Sequence, residues 1–335
     1  MNNGQVILPF QLNDFSRYRS QLMGVATIMI LLCHAAASKV MMPALLSAIL
    51  GFGNYGVDIF LFLSGLGCFY SLSKTKGGDV FSYWGRRLYR IIPAYLIIFI
   101  PINFVYLLIG ERSIGEVLLS LTALEYWLFR RGGWFISIII PLYLISPLLY
   151  KVFRTKWKWW WLIGFVVMIM AFCAIPLKDH SSTCVLYNIQ LALRRVPSFI
   201  IGMVVANECK ENRVISILQV LPFIFCFIPL RIFLPNLFWG WLVLPLIMVL
   251  FVLFIKCLER WNWILKGLSF MGGISLESYL LNISINALLS VLITHFGFSS
   301  SSILYGNYFQ YAIVVIVGTL LAYFINKICK HLIFE

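Results

Sequence analysis

Four histidines occur in this chain, and only His34 lies well inside an apolar run, Met23 to His34. An imidazole, with an ordinary pKa of about 6.5, is the side chain best suited to general-base chemistry near neutral pH. Of twelve acids, Asp58 and Glu277 alone fall within strongly apolar runs, with Glu125 on an amphipathic segment. Ionisable groups in hydrocarbon are costly, so each is a candidate for function. Asp58 is the candidate to hold the His34 ring in one tautomer, as carboxylates do in acid–histidine pairs. From position alone, an interhelical hydrogen bond is as good an account of His34 as catalysis. Further on, Arg87-Leu88-Tyr89-Arg90-Ile91-Ile92-Pro93 sets two arginines three residues apart, hence on one helical face. Paired guanidiniums can grip phosphate oxygens, although anchoring at a membrane interface is the commoner fate of such residues. Arg86, Lys74 and Lys76 crowd the same stretch.

The elements that must carry these groups are membrane helices. Hydrophobic residues make up 61% of the 335 and charged residues 11%, which excludes an ordinary soluble domain. Apolar runs near 21–37, 54–72, 88–109, 134–153, 159–177, 214–234, 236–256, 270–294 and 308–328 suit the roughly 17–25 residues of a spanning helix. Hydrocarbon forces the backbone to satisfy its own hydrogen bonds, so such runs are helices. The interval 184–207 is interrupted by Arg194 and Arg195. If it crosses, the loops of one side carry more than twice the Lys and Arg of the other; if it does not, the bias disappears. The expectation is therefore an all-α, polytopic bundle of about ten transmembrane helices. Both termini are expected in the cytoplasm, with residues 1–335 forming one domain. The net charge of +14 is then the positive-inside signature and needs no nucleic acid. The first apolar run is read as a span and not a cleaved signal, because no small-residue cleavage pattern follows it. Eight scattered cysteines without a Cys-x-x-Cys pair suggest neither a disulfide frame nor a metal site.

Taken together, these segments resemble the acyltransferase 3 family of integral membrane acyltransferases. The resemblance rests on His34 late in the first span and on Gly56-Val57-Asp58-Ile59-Phe60 through Ser64-Gly65 in the second. Arg87 to Pro93 then matches the start of the third. Trp134-Phe135 with Tyr143 and Pro147, Arg195 with Phe199 and Gly202, and Gly273-Ile274-Ser275 with Tyr279-Leu280 extend it over nearly the whole chain. Three positions depart from the pattern. The family's arginine eleven residues before the histidine is Met23 here, with Arg17 and Arg19 the nearest cations outside the span. A frequent glutamate five residues after the tryptophan is Ile139, and a histidine after Tyr-Leu is Asn282.

The resemblance implies a transferase. An acyl-CoA co-substrate, with no permanently bound cofactor, would set its phosphates on Arg87, Arg90 and Arg86. His34, with Asp58, would activate an acceptor hydroxyl or carry the acyl group briefly. The acyl group expected is acetyl, the acceptor a surface or lipid-linked glycan, and the location the inner membrane of a bacterium. Trp134, Tyr143, Arg195, Glu277 and Tyr279 are expected to line the substrate path, Trp134 being equally suited to an interfacial belt. No extracytoplasmic hydrolase-like domain is appended, so transfer is expected within the bundle or on a separate partner. The rival class is a transporter or flippase of a small solute or lipid-linked sugar, for which buried His, Asp and Glu would also serve. No inverted repeat or matched pair of broken helices supports it.

Overall fold

A computed structural model describes residues 9–37, 43–75, 79–233, 239–297 and 308–334. Lys76 lies outside them. The long apolar runs fold as helices, in order α1 (Asp14–Arg17), α2 (Arg19–Ala37), α3 (Ala44–Gly51), α4 (Gly56–Lys74) and α5 (Val80–Leu108). Two short helices, α6 (Ile114–Leu121) and α7 (Glu125–Phe129), precede α8 (Trp134–Phe153) and α9 (Lys158–Ala174). Then come α10 (Val185–Leu193), α11 (Val196–Lys210), α12 (Leu221–Phe233) and α13 (Gly240–Cys257). The chain closes with α14 (Asn262–Gly273), α15 (Ser275–His295) and α16 (Tyr308–Phe334).

Among the described residues, seven stretches are long and apolar enough to cross a membrane: Ala44–Lys74, Val80–Leu108, Trp134–Phe153, Val185–Lys210, Gly240–Cys257, Ser275–His295 and Tyr311–Leu332. Three shorter apolar helices, Arg19–Ala35, Lys158–Ala174 and Leu221–Phe233, fall below that length. The interval expected to cross despite its arginines, 184–207, is among the seven, as α10 and α11 meeting at Arg194 and Arg195. The run expected at 214–234 differs most. Its first residues form a strand, β2 (Val214–Ser216), antiparallel to β1 (Pro9–Gln11), which seats Phe10 in the core. Only 13 residues remain for α12, with Pro229 among them. The third span also starts earlier than hydropathy indicates. Asp79 accepts a hydrogen bond from the Ser82 N–H at 3.0 Å and so caps α5 at Val80. Arg86, Arg87 and Arg90 consequently sit two to three turns inside the helix.

At the centre stands α4, whose sequence is apolar on every face and whose first eleven residues are all buried. Two pairs of glycines set its surroundings. A Cβ on Gly65 would come within 2.1 Å of the Phe199 carbonyl oxygen, and one on Gly202 within 2.0 Å of that of Phe62, so α4 and α11 touch backbone to backbone. Gly24 and Gly272 stand in the same relation between α2 and α14, at 1.9 Å from Leu268 O and 2.0 Å from Ser20 O. Gly164 on α9, by contrast, has nothing within 4 Å of an added methyl. Gly202→Ala should therefore lower the thermal midpoint in detergent, with a loss of about 1–3 kcal/mol from forced separation of the two helices. Gly164→Ala should leave the midpoint unchanged or raise it slightly. Equal midpoints for the two variants would contradict this packing.

Candidate active site

His34 lies near the end of α2, half-buried, and its Nδ1 is 2.7 Å from Asn282 Oδ1 on α15. The direction of that bond follows from what lies behind it. The Tyr311 hydroxyl on α16 donates to the Leu31 carbonyl, which can only accept. It therefore accepts from Asn282 Nδ2, 3.2 Å away, and Asn282 turns its oxygen toward the ring. The neutral imidazole then carries its proton on Nδ1 and its lone pair on Nε2. The orienting group for His34 is thus a neutral amide. Asn282 stands out in the sequence only as a departure from the family's pattern, and nothing in the sequence singles out Tyr311.

Asp58 does a different job. Its fully buried carboxylate pairs with the Arg195 guanidinium and accepts from Ser198 Oγ at 2.8 Å. Arg195 also reaches the Asn54 carbonyl at 3.4 Å. Asp58 and Arg195 are brought to each other and not to His34, and they fasten the first turn of α4 to the joint between α10 and α11. The short side chain of Asp58 points toward α11 from α4, whereas His34 faces α15. Glu277, also buried, accepts from Asn326 Nδ2 at 2.8 Å and so ties α15 to α16. Glu125 pairs with Arg112 at 2.9 Å. Trp134 opens α8 and packs edge-on against Phe135.

The remaining predicted residues gather around a cavity of about 720 Å³ between α2, α4, α5, α8, α14 and α15. One end carries Arg17, Arg19, Arg86, Arg87, Arg90 and Lys330, and among the described residues lining it none is acidic. Arg87 donates to the Gly67 carbonyl, with its guanidinium carbon 5.6 Å from the centre of the Tyr143 ring. Arg90 reaches the Gly273 carbonyl at 3.4 Å. Arg86 is more outward, on Ser82 Oγ at 2.8 Å and Thr75 Oγ1 at 3.2 Å, and Lys74 is exposed outside the lining. Arg17 shares its charge with Glu259 at 3.3 Å. Arg19, the first residue of α2, turns inward to the Leu63 carbonyl at 3.5 Å and joins Arg87 in the cavity. Lying outside the apolar run, it gives no hydropathy signal.

The other end of the cavity is apolar, lined by Ile30, Val57, Phe60, Phe135 and Tyr279. The Tyr279 ring centroid lies 6.3 Å from that of His34, so the cavity leads from the cations to the flank of the imidazole. From Arg19 to His34 the path rises about 22 Å along α2. Chemically, the arrangement could hold an elongated molecule with a polyanionic head and an apolar or neutral tip.

Residues 22–327 match the acyltransferase domain of the acyltransferase 3 family. This chain belongs to that family. It is accordingly a multi-pass membrane acyltransferase, transferring a group other than aminoacyl. Searches among curated proteins and solved structures gave no match. Within the family's pattern, Met23 lines the cavity one turn beyond Arg19, so a cation is still presented from α2, displaced by four residues.

The Asp58–Arg195 pair generates its own test. Removing one partner of a buried ion pair leaves an uncompensated charge and costs about 3–5 kcal/mol. Arg195→Ala and Asp58→Ala should each sharply reduce the yield of folded protein, measured by fluorescence-detected size exclusion. Asp58→Ala at wild-type yield and thermal midpoint would refute the structural role.

Proposed function

We propose that the protein is an O-acyltransferase moving an acyl group, most simply acetyl, from cytoplasmic acyl-CoA to a hydroxyl of an extracytoplasmic or lipid-linked glycan. The observation that carries this reading is the cavity with six cations at one end, no acid among the described residues of its lining, and an apolar end beside His34. Half-buried Arg19 and Arg87, which have no carboxylate partner among the described residues, call for an anionic ligand, and the phosphates of CoA supply it. Arg19, Arg87 and Arg90 hold those phosphates, with Arg86 at the rim. Tyr143 backs Arg87, and the acyl thioester occupies the apolar end. His34 Nε2 takes the proton of the acceptor hydroxyl as its oxygen attacks the thioester carbonyl, and returns it to the departing CoA thiolate. Asn282 positions the ring for that transfer.

In this reading the three shorter apolar helices also cross, locally thin bilayer and flanking residues absorbing the mismatch. That makes ten crossings with both termini cytoplasmic, in the inner membrane of a bacterium. No resident cofactor takes part, and membrane lipid is the only other partner required besides donor and acceptor. The arginines then face the compartment that holds acyl-CoA, and His34 lies toward the opposite leaflet, where a glycan acceptor arrives.

Purified protein supplied with acetyl-CoA tests the assignment. Release of CoA should depend on His34, with His34→Ala abolishing it. Arg87→Ala/Arg90→Ala should weaken acetyl-CoA binding about tenfold or more, since each charge-assisted contact is worth about 1.5–3 kcal/mol. Arg19→Ala should act in the same direction. Normal binding by the double variant, or acceptor flux across vesicles without CoA release, would sink the reading. Asn282→Ala should lower kcat by part of the roughly 10²–10⁴-fold that a positioned base contributes, leaving KM for acetyl-CoA unchanged. An unchanged kcat would show that Asn282 does not position His34.

A further inference from the structure

We propose that the Tyr279 hydroxyl is the oxyanion donor of the reaction, binding the thioester carbonyl oxygen as it becomes negative. This rests on the acyl-transfer reading above and adds a residue that acts on the reacting atoms. Tyr279 is only 4% exposed; the Phe135 backbone N–H approaches its oxygen, but its O–H proton has no acceptor among the described residues. Three other buried tyrosines are satisfied: Tyr83 by Ser146 Oγ at 2.5 Å, Tyr95 by the Ser120 carbonyl at 2.6 Å, and Tyr311 by the Leu31 carbonyl. Leaving a buried hydroxyl donor unpaired costs on the order of 1–3 kcal/mol, which phenylalanine would avoid. A partner supplied by a ligand removes that cost.

Location says which ligand atom. Of the buried side-chain donors lacking an acceptor among the described residues, two belong to residues that line the cavity, Arg19 Nε and the Tyr279 hydroxyl. One stands at the cationic end and the other at the end beside His34. Tyr279 and Asn282 lie three residues apart on α15, hence on one face. Asn282 holds the imidazole while Tyr279 flanks it, with Phe135 packed edge-on behind the phenol at 5.7 Å. A thioester at this end therefore meets a base and a fixed O–H donor together, with apolar walls that strengthen the donor's pull on a developing charge.

The step balances. His34 Nε2 accepts the proton of the attacking hydroxyl, and the oxygen forms a bond to the thioester carbon. The carbonyl π pair moves to oxygen, which accepts the Tyr279 O–H hydrogen bond. Collapse reforms the carbonyl and breaks the carbon–sulfur bond. The thiolate takes the proton from imidazolium, leaving an ester and free CoA. Tyr279 keeps its proton throughout.

The test uses the full chain in detergent with acetyl-CoA as donor and water as surrogate nucleophile, following free CoA by chromatography. Tyr279→Phe should lower kcat about 10²–10³-fold, with KM for acetyl-CoA and the thermal midpoint unchanged. A kcat within threefold of wild type overturns the proposal. Should the variant fail to fold, fluorotyrosines of graded acidity at position 279 keep the shape of the ring. The rate should then follow phenol acidity, and a flat series overturns the proposal, since a packing role would not respond. CoA release that needs His34 but ignores the phenol defeats only the oxyanion assignment. Absence of His34-dependent CoA release in the wild-type protein defeats the acyl-transfer reading, and this proposal with it.

Discussion

Close approach of helix backbones is the constraint on which the remaining structure depends. In hydrocarbon, helices gain nothing from hiding apolar side chains from lipid tails, so they associate by packing and hydrogen bonds. Here backbones touch at Gly65 and Gly202 between α4 and α11, and at Gly24 and Gly272 between α2 and α14. The first contact brings Asp58 to Arg195 and Ser198. The second draws the α14–α15 segment onto α2, from which α15 presents Tyr279 and Asn282 to His34. Side chains at these glycines would spread the helices by ångströms, more than a hydrogen bond of 2.7 Å tolerates.

Charge is distributed according to one rule. Acids that are buried have polar partners: Asp58 with Arg195, Glu125 with Arg112, Glu208 with Lys158 and Arg213, Asp14 with Lys256, and Glu277 with Asn326. These contacts join segments distant in sequence and stabilise the bundle through the penalty that follows if either partner is lost. Among the described residues, the cations of the cavity have no such carboxylates apart from Glu259 beside Arg17. Carbonyl oxygens of α4 and α14 hold Arg19, Arg87 and Arg90 in place without neutralising them. A site prepared in this way keeps its positive potential.

Much of this was legible in the residues. Runs of hydrophobic residues near 20 long announce spanning helices because the bilayer sets the length, and a histidine or aspartate inside such a run is conspicuous because it is costly. The spacing of Arg87 and Arg90 is a helical period, so their shared face could be read directly. Arg19 was less legible, since a cation just beyond an apolar run usually belongs to the interface. Strand pairing with Pro9–Gln11 claimed Val214–Ser216, which hydropathy assigns to a span. That pairing joins segments some 200 residues apart, and no local pattern reveals it.

By itself, then, the sequence determined the helical class and the chemically capable residues, which follow from residue type and short-range period, and the family, which follows from its motifs. Tertiary structure alone decided who meets whom. It gave Asp58 to Arg195 instead of to the histidine, supplied Asn282 and Tyr311 as the chain that orients the ring, and turned Arg19 into the cavity. The physical reason is that a side chain's partner is set by the rotation and crossing of its helix, which depend on where small residues let backbones touch. Those contacts link segments far apart in the chain, so the pattern within any one helix cannot disclose them.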